Sequence, residues 1–185
     1  MSTTTIIVLA VTIVVIAAVA LWAWRRQRID NLRRKFGPEY SHAIEQYGSE
    51  ARAQEALSQR ARRMEKFHAR GLTREDHDRF LERWNLVQAN FVDDPPASIE
   101  QADTLVNQLM QARGYPMGDF DKRAEDISVD HPQVVQNYRA AHVIAERQTR
   151  GQAVTEDLRQ ALVHYRALFD ELLEGHLTTH EGRRR

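Results

Sequence analysis

Residues 80–91 read FLERWNLVQANF, and in them Phe80, Trp84, Val87 and Phe91 fall at i, i+4, i+7 and i+11. That spacing lines one face of a helix with 3.6 residues per turn and matches no alternation of period two. Upstream, Thr73 with Asp76 gives a helix-start pattern, a hydroxyl placed to accept an early backbone N–H. Downstream, Asp93-Asp94-Pro95-Pro96 closes the helix. Ser98 with Gln101 is then expected to cap a second helix, whose Ile99, Ala102, Leu105, Val106, Leu109 and Met110 form a continuous stripe ending at Arg113-Gly114.

The same pattern runs on to the C-terminal side. A connection holding Tyr115, Pro116, Met117 and Phe120 leads into a short acidic helix. Asp130-His131-Pro132 reads as the start of the next helix, with Asp130 as its cap. Val134, Val135, Tyr138, Ala141, His142 and Ala145 carry its apolar face to Arg150-Gly151. Thr155-Glu156-Asp157 places acids at the positive end of a last helix, with Leu158, Ala161, Leu162, Tyr165, Leu168, Phe169 and Leu172 facing inward. Four amphipathic helices with short connections predict an antiparallel bundle over 72–174, and no strand pattern follows residue 24. The fold class expected is all-α, an N-terminal single transmembrane helix followed by this bundle.

Toward the N-terminus, 25–48 reads as a basic juxtamembrane segment with a short helix through Tyr40, Ile44 and Tyr47, after which Gly48-Ser49 opens a polar helix. A polar helix is expected over 49–71, with a possible seam of Leu57, Ala61, Met64 and His68, and a disordered basic tail over 175–185. Between residues 50 and 74 there are seven bases against three acids, and between 75 and 130 five bases against thirteen acids. Charge complementarity therefore predicts that the polar helix docks on the acidic surface of the bundle.

The first 24 residues are of another kind. Residues 6–24, IIVLAVTIVVIAAVALWAW, contain Thr12 as their single polar member, and no ionisable side chain precedes Arg25. Nineteen residues at about 1.5 Å each match roughly 30 Å of hydrocarbon, so 1–24 is expected to be a transmembrane anchor. Trp22 and Trp24 suit the headgroup layer, and Arg25, Arg26, Arg28, Arg33, Arg34 and Lys35 make a basic flank for membrane lipid. Positive charge on the C-terminal side places the N-terminus outside and the remaining chain in the cytoplasm. The rival is a cleaved signal peptide, with Ala18-Val19-Ala20 as its cleavage site and a secreted or periplasmic helical domain as its product. Against it stand the missing basic residues before the run and the run's length.

The chain has 26 basic and 26 acidic residues and no cysteine. The balance excludes a wholly basic nucleic-acid binder, and no nucleic acid is expected as partner. Cysteine nucleophiles, thiolate metal sites and disulfides are excluded outright. No P-loop, nucleophile elbow or H-E-x-x-H pattern occurs, so no catalytic residue, metal or cofactor is assigned. His142 and Glu146 lie four apart on one helix, a spacing that metal sites use and ordinary helices share. The expected role is a non-enzymatic protein-interaction or scaffold module, with Tyr115, Pro116, Met117 and Phe120 as candidate contact with a protein partner. The alternative is a ligand-binding or enzymatic bundle with a polar pocket formed by Tyr138, His142, His164 and Tyr165.

The stretches RWNLVQANFVDDP (83–95), ARGYP (112–116), DHP (130–132), YRAAH (138–142), TEDLRQA (155–161) and HYRALF (164–169) resemble a family of uncharacterised bacterial membrane-anchored helical proteins. The resemblance spans roughly residues 32–173. It implies a bacterial source and a tethered helical domain. No activity is assigned to that family, so no functional residue is carried over.

Overall fold

The computed structural model describes residues 3–67 and 70–175, with side chains from Thr12 onward. Among the described residues all regular structure is helical: α1 (Thr3–Phe36), α2 (Pro38–Tyr47), α3 (Glu50–Met64), α4 (Arg74–Asn90), α5 (Pro95–Ala112), α6 (Phe120–Asp130), α7 (Val135–Thr149) and α8 (Thr155–Glu174). The expected tail lies almost wholly outside the described residues, and so does His68 of the proposed seam. The chain divides into two compact units, 1–58 and 59–185, with the boundary inside α3.

In the first unit α1 runs unbroken from the apolar run into the basic flank. It stops at Phe36, where Gly37 donates its N–H to the Arg33 carbonyl at 2.9 Å. Pro38 then opens α2, a position where a missing N–H costs nothing. Gly48 ends α2 with φ 69°, a left-handed conformation that glycine adopts freely. Tyr40 and Ala43 are buried and Ile44 and Tyr47 half-buried. Arg33 and the Tyr40 hydroxyl both donate to Glu50 Oε1, at 2.7 and 2.9 Å.

The second unit is built on the stripes read from sequence. Phe80, Trp84 and Val87 of α4 are buried, as are Ile99, Ala102, Leu105, Val106, Leu109 and Met110 of α5. The buried set of α7 is Val135, Tyr138 and Ala141; that of α8 includes Leu158, Ala161, Tyr165, Leu168, Phe169 and Leu172. α5 packs against α4, α7 and α8, and α8 packs against α5 and α7. The four residues linking α4 to α5 permit only an antiparallel pair at contact distance. Trp84 stacks on Phe169 with ring centroids 4.6 Å apart, tying α4 to α8.

Three boundaries differ from expectation, each for a physical reason. α5 starts at Pro95, not after Ser98: the Asp94 carboxylate accepts the Ala97 N–H at 3.1 Å, and the two prolines occupy the first turn, where their fixed φ is already helical. Ser98 is buried inside the helix. Asp130 does not cap α7; it is the last residue of α6 and accepts the Tyr115 hydroxyl at 3.1 Å, while α7 begins after Val134 without a side-chain cap. The polar helix ends at Met64, seven residues short of 71. Its buried stripe, Ala53, Leu57, Arg60 and Met64, stops there, and exposed Phe67 offers nothing to support a further turn.

Within the second unit the end of α3 is held by charge. Arg60 Nη2 lies 3.2 Å from Glu125 Oε1, and Arg63 reaches both Glu125, at 3.3 Å, and Asp126, through Nε at 2.9 Å. Within this unit, Arg60 and Arg63 thus meet the acidic side chains of α6.

Candidate functional site

Three groups of residues were singled out by sequence, and the structure places each.

The proposed membrane-interface residues lie on one continuous helix. Trp22 and Trp24 are exposed, with Arg26 over the Trp22 ring at 5.2 Å and Arg28 over Trp24 at 5.7 Å. Both pairs are spaced i, i+4, which stacks them on one face. Arg25, Arg33, Arg34 and Lys35 are exposed too. Arg33, however, is engaged inside the protein, paired with Glu50 and stacked over Tyr40 at 5.3 Å. Hydrogen bonds from Arg33 first and Tyr40 next hold the Glu50 carboxyl below its ordinary value. Arg34 donates to Asn31 Oδ1 at 2.8 Å.

Over 12–24 every described side chain of α1 is exposed, Ile13, Val14, Val15, Ile16, Val19 and Leu21 by 54 to 66%. Apolar groups face outward around the whole circumference of the helix. No helix among the described residues is by itself long and apolar enough to cross a membrane. The run continues upstream through residues 6–11, whose side chains lie outside the described set.

The connection between α5 and α6 is shaped by its turn. Gly114 has φ 84°, its N–H bonds to the Gln111 carbonyl at 3.0 Å, and the Tyr115 N–H bonds to the Met110 carbonyl at 3.0 Å. This pair of bonds is the left-handed helix stop that glycine permits. It turns Tyr115 inward, where the hydroxyl reaches Asp130. Asp119 caps α6 through the Lys122 N–H at 2.8 Å. Phe120 stacks on His142, centroids 3.5 Å apart, and meets Tyr138 in a tilted arrangement at 4.8 Å. Pro116 is half-buried, and Met117 alone of the four is exposed.

The four residues of the proposed polar pocket divide into two fates. Tyr138 and Tyr165 are fully buried and belong to one chain of hydrogen bonds. Arg123 Nε donates to the Tyr138 hydroxyl at 3.1 Å, and that hydroxyl donates to Asn107 Oδ1 at 3.2 Å. Asn107 Nδ2 donates to Asp103 Oδ2 at 2.9 Å, and the Tyr165 hydroxyl donates to Asp103 Oδ1 at 2.9 Å. The chain links α6, α7, α5 and α8, with each donor matched to an acceptor. Burial pushes both phenols above their ordinary value; Arg123 opposes this at Tyr138, and Asp103 adds to it at Tyr165. Such tyrosines keep their protons and hold helices in register.

The histidines lie apart from that chain. His164 Nδ1 sits 3.1 Å from Asn137 Oδ1. His142, packed under Phe120, has Nε2 3.6 Å from Glu146 and lines a small cavity of about 280 Å³ with Asp103 and Glu146. Among the described residues no three His, Asp or Glu side chains gather as a metal-ligand set.

Sequence reading missed Asp103, Asn107 and Arg123, the members that join the two tyrosines. Asp103 and Asn107 are four apart on α5, beside the apolar stripe, and that adjacency is the one signal that pointed to them. The chain matches no protein-family model, no curated protein and no solved structure.

Proposed function

We propose that the chain is a single-pass membrane protein whose α1 anchors it in a bacterial cytoplasmic membrane, N-terminus outside, and whose cytoplasmic helices are a non-enzymatic protein-interaction or scaffold module. One observation carries this reading: large apolar side chains exposed on every side of α1 over 12–24. A helix that is apolar all round needs a non-aqueous surrounding, and a run of this length continuing upstream suits a bilayer. The tryptophans and arginines that follow within a turn suit its headgroup layer. The bacterial setting rests on the family resemblance.

Tethering confines a module to two dimensions and raises its effective concentration for a partner in the same membrane. The interaction half of the reading is supported by the bundle's interior, where Tyr138, Asp103, Asn107 and Tyr165 are spent on one another.

Alkaline carbonate extraction tests the anchor. The full chain should stay in the membrane pellet and a chain lacking residues 2–24 should move to the supernatant. Release of the full chain would contradict the reading. Crosslinking in native membranes should then retrieve a defined protein from repeated preparations, and failure to do so would remove the interaction half.

A further inference from the structure

At the end of the bundle where α5, α6 and α8 terminate, Arg113, Tyr115, Asp130, His131, Glu171, Glu174 and Gly175 line an open cavity of about 450 Å³. Its volume is that of a small-molecule site. Arg113 is 4% exposed, and neither Nε nor Nη1 has a hydrogen-bond partner among the described residues. A buried guanidinium with two of its nitrogens left without acceptors is costly, because desolvation is not offset by bonding. Burial accordingly pushes Arg113 below the usual arginine value, against the pull of Tyr115 and Asp130, yet an arginine of this kind stays charged.

The backbone on both sides of it is closely placed. Arg113 is the residue at which α5 ends, and its carbonyl accepts the Arg70 N–H at 2.8 Å. Gly175 lies against the guanidinium so closely that a Cβ there would collide with it.

The rest of the lining has the opposite sign. Tyr115 donates to Asp130, His131 Nδ1 lies 3.0 Å from Glu171 Oε1, and Glu174 adds a third carboxylate. A simple anion would match the charge of Arg113 and meet three acids. A simple cation would satisfy the acids and leave the charge of the guanidinium unmatched. A molecule that carries both charges a few ångströms apart answers both.

We propose that this cavity binds a small zwitterion of the α-amino acid class, its carboxylate on Arg113 and its ammonium on the acidic rim of Asp130, Glu171 and Glu174. This assignment is independent of the anchor, and makes the tethered module one whose bundle end responds to a metabolite.

The test uses the full chain in detergent. Calorimetric titration and thermal unfolding are run with each of the twenty free amino acids, and with acetate and methylammonium as probes that carry one charge each. At least one amino acid should bind and raise the unfolding midpoint, with acetate and methylammonium weaker by roughly tenfold or more. Arg113→Gln should lose roughly tenfold or more in affinity, the effect of removing a charged hydrogen-bond partner. Gly175→Ala, which keeps the arginine and displaces its guanidinium, should do the same while helical circular dichroism is retained. Glu171→Gln should weaken amino acids and leave acetate unchanged. The proposal is overturned if no amino acid binds, if acetate binds as tightly as the best amino acid, or if Arg113→Gln and Gly175→Ala both bind like the unaltered chain.

Discussion

Tyr165 and Asp103 are joined by a hydrogen bond whose removal leaves the packing of the ring in place. Replacing Tyr165 by Phe keeps the ring and strips Asp103 Oδ1 of its donor, so a half-buried carboxylate must be left short of one bond. The expected cost is about 1–3 kcal/mol, read as a lowered urea midpoint with unchanged helix content. A loss well under that range would mean that the network is ornamental. Alkaline titration reports on the same side chains. Tyr115, Tyr138 and Tyr165 all have folded pKa values above the ordinary 10.0, with burial the largest cause. Their contribution is therefore full below pH 10.0 and is lost as the pH rises, because the unfolded chain releases phenolic protons that the folded chain retains. Phenolate absorbance from these three should grow together with loss of helical signal; growth in a fully helical protein would contradict their burial.

At the scale of the element, periodicity was enough for the interior and insufficient for the ends. The stripes of α4, α5, α7 and α8 were legible because burial of one face is a property of the helix itself, visible in spacing alone. Helix starts were harder to read because several residues compete for each cap. Asp94 and Ser98 both offer an acceptor ahead of an apolar run, and the prolines between them decide the matter by fitting the first turn. Asp130 and Arg113 were read as punctuation for a related reason. Their partners, Tyr115 and the cavity at the bundle's end, are supplied by folding, which no local spacing reports. The chain of bonds through Asp103, Asn107 and Arg123 was hidden likewise, since it joins four helices.

The contact of α3 with α6 is where pH should act. Burial by itself raises Glu125, but Arg60, then Lys122 and Arg63, outweigh it and hold the carboxyl below its ordinary 4.5. A folded value below the unfolded one gives stability above pH 4.5 that is lost as the pH falls through the folded value. Asp126 acts in the other direction, since burial outweighs Arg63 and keeps it above its ordinary value. Glu125→Gln should therefore lower the unfolding midpoint at neutral pH and flatten its decline under acid. An equal decline in both proteins would place the acid sensitivity elsewhere.

At the scale of the whole chain the account turns on α1 and its collar. Arg25, Arg26 and Arg28 sit within about 6 Å of the end of the apolar run along the helix axis, whereas Arg33 lies roughly 13 Å beyond it and is engaged with Glu50. With a screening length of about 8 Å, the first three should set topology. Arg25→Glu, Arg26→Glu and Arg28→Glu together should disturb orientation, while Arg33→Gln should leave it alone and loosen the joint with α2. The most direct measurement exploits the absence of cysteine. Val92, 84% exposed, takes the single reporter Val92→Cys. A membrane-impermeant maleimide should label it in bacterial cells only after the inner membrane is permeabilised, on a chain that retains its first residues. Labelling in cells whose inner membrane is intact, or a mature chain beginning near Leu21, would contradict the account.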